Sequence, residues 1–99
     1  MPTHERPDRF IRDFLRLSDD DAELFLSVVL NDFVPAIDAG RPFPGGLRIK
    51  GVQGASGIWE MTWEMSNGRA TFEFGQQIQA GRPHIVWRRV GGHNIFGDP

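Results

Sequence analysis

The chain has 99 residues, 39% of them hydrophobic and 24% charged, with a net charge of −2 and no cysteine. That length supports one domain over residues 1–99 with one two-layer core, and the lack of cysteine excludes disulfides and thiolate zinc sites. No run approaches the roughly 20 apolar residues of a membrane span, and the first 16 residues lack the apolar stretch of a signal peptide, so a cytoplasmic protein with no membrane partner is expected.

Pro7-Asp8 opens a predicted helix in which Phe10, Ile11, Phe14 and Leu17 recur at three- and four-residue steps, the mark of one apolar face. Ser18 is a good cap for a second helix, and Asp19, Asp20 and Asp21 load its first turn with the charge that the helix dipole favours. From Ala22 onward the apolar residues are dense, with Leu24, Phe25, Leu26, Val29, Phe33 and Ile37 forming a broad buried face. Pro35 is expected to kink or end this helix, and Ala39-Gly40 is its latest stop.

The period then changes from helical to alternating. Residues 47–50 read as a strand, apolar in and basic out. Residues 58–65 alternate, with Trp59, Met61, Trp63 and Met65 on the core side and Glu60, Thr62 and Glu64 on the other. Asn67-Gly68 is a strong hairpin signal. Residues 69–74 continue the pattern, with Ala70, Phe72 and Phe74 inward and Arg69, Thr71 and Glu73 outward. Residues 84–90 are apolar on both faces, as in a central strand, and this strand is expected to lie inside the sheet, paired in parallel with an early strand. The predicted architecture is α+β: two N-terminal helices packed on a four-stranded, mainly antiparallel sheet.

The chemistry that this sequence offers is narrow. His4, His84 and His93 stand at spacings unrelated to metal ligation. The glycines of residues 45–57 lack the strand–loop–helix setting of a phosphate loop, and no serine elbow is present. What remains is a polar sheet face carrying Arg48, Lys50, Glu60, Thr62, Glu64, Arg69, Thr71 and Glu73, with Arg88 or Arg89 nearby; on a regular strand those two arginines point to opposite faces. Charge is uneven in the same sense, net −5 over residues 1–40 and +3 over residues 41–99, and ten of the eleven bases are arginine, the better phosphate fork. RNA cleavage by 2′-hydroxyl attack needs a base, cations on the phosphate and an acid for the leaving oxygen. His93, Glu60 or Glu64 are candidates for the proton work, and Arg89, Arg69 and Lys50 for the phosphate. The plainer reading is a solvated strand face with cross-strand charge pairs, and Glu60 is read first as such a pairing residue.

The helix–strand order, the runs Leu47…Lys50-Gly51, Gly57-Ile58-Trp59-Glu60-Met61 and Gly68-Arg69, and the closing Arg89-Val90-Gly91-Gly92-His93 together resemble the RelE/ParE superfamily of type II toxins. The closing run is similar to the end of the YafQ branch, where an arginine precedes a histidine by four and a phenylalanine follows; here Phe96 follows by three. The resemblance implies a metal-independent mRNA endoribonuclease without cofactor, with mRNA on the ribosome as target and an antitoxin protein as partner. It implies Arg89 as the phosphate-holding arginine, His93 as general acid or base, and Arg69 as a hairpin arginine of the site. Phe96 and Lys50 become substrate contacts, with Arg48 and Glu60 on the same face. Thr62 stands where YafQ-like members have a histidine, Asn67 near a position often acidic, and Phe96 where RelE-like members place a tyrosine. A ParE-like toxin that obstructs DNA gyrase and cleaves nothing, and a protein of this fold without toxicity, remain open beside the nuclease.

Overall fold

The computed structural model describes residues 2–99. A short strand β1 (Thr3–Glu5) leads into helix α1 (Asp8–Leu15). Helix α2 (Asp19–Val28) passes through one wide turn (Val29–Phe33) into α3 (Val34–Ala39). Ser18 caps α2 as expected, its hydroxyl accepting from the Asp21 N–H at 3.1 Å. Pro35 does not end the helix. Its missing N–H and its ring fall just after the wide π-type turn, which accommodates both while the chain stays helical to Ala39. Gly40, at φ 61°, then closes the helix, and the Arg41 N–H returns to the Ala36 carbonyl at 3.0 Å.

The sheet has five strands in the order β1-β5-β4-β3-β2, with β2 (Lys50–Gly51), β3 (Trp59–Glu64), β4 (Gly68–Gly75) and β5 (His84–Gly91). It is mixed, which corrects the four-stranded sheet expected from sequence. The added strand is β1, which pairs in parallel with β5, Thr3 opposite His84 and Glu5 opposite Val86. Three residues are too few to show a period. The closing strand does pair in parallel, but with this N-terminal piece and not with one of the strands expected from sequence. The strand expected at residues 47–50 is also displaced. Gly45–Leu47 forms a 3₁₀ turn, Arg48 takes a left-handed conformation at φ 48°, and only Lys50 and Gly51 pair with β3.

The register of β4 on β5 shifts between Thr71 and Phe72, which face Arg89 and Trp87, so Arg88 is the extra residue of a bulge. Beyond Val86, β5 has no strand on its far side among the described residues. There α1 lies along it, and the Asp13 carboxylate accepts from the Val90 N–H at 3.3 Å.

Trp87 is the hub of the core, with ring centroids 5.3–5.8 Å from Phe10, Phe25, Phe33 and Phe72. The helical contribution is narrower than the sequence implied. Phe25, Val29 and Phe33, four residues apart, are buried, while Leu26 and Leu30 are 46% and 63% exposed. Those leucines, with Ile11, Phe14 and His4, line an apolar groove of about 540 Å³ between α1, β1 and the long helix. Trp63 is buried as expected, but Trp59 and Phe74 lie half-exposed, edge to face, where the sheet outruns the helices.

Candidate functional site

The β3–β4 hairpin is tied by one carboxylate. Glu64 accepts from the Ser66 hydroxyl at 2.6 Å and from the backbone N–H groups of Asn67 and Gly68 at 2.8 and 3.2 Å. These donors, the Ser66 hydroxyl first, hold its pKa down to about 2. Glu64 is thus a fixed carboxylate at neutral pH, with its lone pairs spent on the turn. Arg69 is equally committed: it is buried, and its guanidinium donates to the Glu64 and Gly68 carbonyls at 2.9 Å each.

The hairpin tip presents the Asn67 side chain to the end of β5. Gly92 makes room for it, since a Cβ there would lie 2.3 Å from the Asn67 amide nitrogen. Asn67 Oδ1 accepts from the His93 backbone N–H at 2.9 Å and sits 2.8 Å from His93 Nδ1. The backbone N–H can only donate, which identifies the contacting Asn67 atom as the oxygen. The same oxygen then requires a proton on His93 Nδ1. In the neutral ring Nε2 is left as the acceptor, on an exposed side chain. Phe96 meets the ring edge to face, centroids 6.4 Å apart. Residues 67, 92, 93 and 96 thus form one unit, of which sequence reasoning had only His93 and Phe96.

Arg89 is held differently from the sequence expectation. Its guanidinium forks onto Asp13 of α1, Nε at 2.6 Å and Nη2 at 3.2 Å, and Nη1 donates to the Asp98 carbonyl at 2.9 Å. The hydrogen bond to Asp13 raises its pKa further. Arg88, assigned by alternation to the opposite face, instead reaches the same segment: Nη2 donates to the Pro99 carbonyl at 3.1 Å, and Nη1 to Glu73 at 3.0 Å. The bulge puts both arginines on one side. Arg9 joins them, with Nη2 2.7 Å from the Asp98 carboxylate.

The remaining expected residues lie apart from this unit. Lys50 pairs with Glu60 at 3.7 Å on the far strands, as the plainer reading had it, and Arg48 is exposed on the loop before β2. Thr62 and Thr71 are buried on the outer face, and the Thr71 hydroxyl has no hydrogen-bond partner among the described residues. Among the described residues no group of three His, Cys, Asp or Glu is placed to hold a metal ion, and no helix is long and apolar enough to cross a membrane.

A helical layer on a mixed sheet is also the fold of solved toxin structures, YafQ among them. In particular, a copper-bound mutant toxin from Helicobacter pylori matches with a TM-score of 0.64 at 15% identity over 95% of this chain and 97% of that one. Two structures of the E. coli DinJ–YafQ toxin–antitoxin complex match with a TM-score of 0.61 each, at 16% and 12% identity. They cover 95% and 94% of this chain, and 96% and 93% of theirs. No family model matches the sequence, and no curated protein matches it.

Proposed function

We propose that this chain is the toxin of a type II toxin–antitoxin pair and cleaves mRNA on the ribosome without a metal, with His93 as the proton-transfer group. The observation that carries the reading is the Asn67–His93 contact, which leaves Nε2 of a neutral imidazole as the available base. In the reaction the 2′-oxygen bonds to phosphorus as Nε2 takes its proton, and the bond from phosphorus to the 5′-oxygen breaks. The 5′-oxygen leaves with a proton from solvent or from the imidazolium so formed. The charge that builds on the phosphate falls to arginine, and Arg89, braced on Asp13, has one guanidinium nitrogen to turn toward it. Glu64 is a weak base and has no proton to give, because the donors of the turn hold its pKa at about 2.

The partner in this reading is an antitoxin. The apolar groove beside Leu26 and Leu30 is of a size and character to receive the apolar face of a helix. A second reading, a toxin that blocks gyrase by binding alone, draws support from the commitment of Arg69 and Arg89 to internal acceptors. Inducing the wild type, His93→Ala and Asn67→Ala in a host separates the two. Cut mRNA that disappears in His93→Ala and falls strongly in Asn67→Ala is the expected result. Growth arrest with intact mRNA and an SOS response would overturn the nuclease.

A further inference from the structure

We propose that Arg9, Arg88 and Arg89 form a binding cluster for RNA phosphodiesters, and that the chain's own Asp98-Pro99 segment occupies it until RNA displaces that segment. The inference rests on the reading of the chain as an RNA-directed toxin and adds to it a site and its regulation.

Three guanidinium groups converge on two consecutive residues. Arg9 bonds both the carboxylate and the carbonyl of Asp98, at 2.7 and 2.8 Å. Arg89 takes the same carbonyl at 2.9 Å, and Arg88 takes the Pro99 carbonyl through Nε and Nη2 at 3.3 and 3.1 Å. A carboxylate flanked by carbonyl oxygens, met by guanidinium forks, presents the hydrogen-bonding pattern of a phosphate with its ester oxygens. Only the bulge allows this, since a regular strand would send Arg88 and Arg89 to opposite faces.

Three acids balance the three arginines, and they differ in how firmly they are held. Asp13 is 7% exposed and also accepts the Val90 N–H, and Glu73 is 37% exposed on β4, whereas the Asp98 side chain is 78% exposed. The pair that Asp98 makes is of the weak, solvent-screened kind. It is therefore the acid that a polyanion displaces at least cost. Its departure leaves the cluster with one net positive charge. The segment leading to Asp98 packs on β4 and β5, with Ile95 buried against Gly91 on the outer face. That face also holds the unpartnered Thr71 hydroxyl, directly opposite Arg89. A ligand oxygen arriving when the segment lifts has a donor waiting there.

The test reads binding alone, so that its failure and the failure of the nuclease reading are distinct. The probe is a single-stranded, fully 2′-O-methylated RNA of mixed sequence, which has no 2′-hydroxyl to attack, followed by fluorescence anisotropy across a salt series. Asp98→Asn is expected to tighten binding about fivefold at 0.1 M salt and to steepen the salt dependence by about 0.7, the increment for one more neutralised phosphate. Asp20→Asn, with the same change in net charge on the remote first turn of α2, is expected to leave binding where it was. Arg88→Ala added to Asp98→Asn takes the gain away. Equal binding by Asp98→Asn and wild type, equal tightening by Asp20→Asn, or no binding by any variant overturns the proposal. Tightening as described, with mRNA on the ribosome left uncut by the wild type, keeps the cluster and removes the nuclease.

Discussion

Asp13 holds two parts of the molecule together, and its removal is a severe test of that arrangement. Its carboxylate receives the Arg89 fork and the Val90 N–H, and the pair is largely shut from water, with side chains 17% and 7% exposed. Removing one partner of a buried pair costs about 3–5 kcal/mol, because the other charge is left behind. Arg89 keeps its bond to Asp98 and some solvent, which lowers that figure, while the orphaned Val90 N–H adds about 1 kcal/mol. We expect Asp13→Ala to lose about 3 kcal/mol, or ~15 °C in Tm for a chain of this length. Asp13→Asn, which keeps an acceptor of the same shape, should lose about half as much. The double variant Asp13→Leu with Arg89→Met should recover most of the loss, since it leaves no buried charge unpaired. Urea unfolding followed by the fluorescence of the buried Trp63 and Trp87 measures all of these. A loss below about 1 kcal/mol in Asp13→Ala would show that the pair is not load-sharing, and the argument for Arg89 as a braced side chain would fail with it.

Three further outcomes follow from the same geometry. Glu64 titrates near 2 in the folded chain and near the ordinary carboxylate value when unfolded, so its stabilisation is complete above about pH 4.5 and is lost as pH falls toward 2; acid titration of wild type against Glu64→Gln should show the variant less stable at pH 7 and the two converging near pH 2. His4 accepts the Trp87 indole N–H at Nδ1, 3.0 Å away, and its pKa is lowered by burial, then by Arg6 and His84. It binds protons more readily unfolded, so stability should fall as pH drops below about 6.5, and His4→Gln should flatten that fall in thermal melts, with identical slopes counting against the reasoning. Thr71→Val removes a buried hydroxyl without a partner and should be neutral or stabilising by up to about 1 kcal/mol in chemical denaturation; a loss of that size would mean the hydroxyl is bonded after all.

Local patterns in the sequence carried the helices, the hairpin and the interior place of β5. The Ser18 cap, Asn67-Gly68 and the apolar run in residues 84–90 each act over a few residues, and each is found as expected. What escaped was set at long range. β1 is three residues long and exists because β5 offers it an edge. Strand alternation failed at Arg88 because the bulge depends on how β4 and β5 pair, which neither strand reveals alone. Asn67 was legible as a turn residue, but its bond to His93 joins positions 26 apart. The Gly91-Gly92 pair was the available cue, since a glycine before a candidate histidine signals that some other group comes close. Nothing local sets Asp13 apart from the other acids of residues 1–40, and only the packing of α1 along β5 makes it a buried partner.

The carboxylate that completes β5 also bears on how this chain avoids its own kind. A sheet margin with unpaired N–H and C=O groups is a template onto which another molecule can add, and aggregation begins there. One margin here is β2, only two residues long. The other is β1 with three residues, after which α1 takes over and Asp13 occupies the Val90 amide with a charged side chain. Each margin is too short or too charged to seed a fibril. Mutation of Asp13 would therefore reopen a docking strip for foreign strands at the same time as it loosens Arg89, and the variant should be found in precipitates before it is found unfolded in solution.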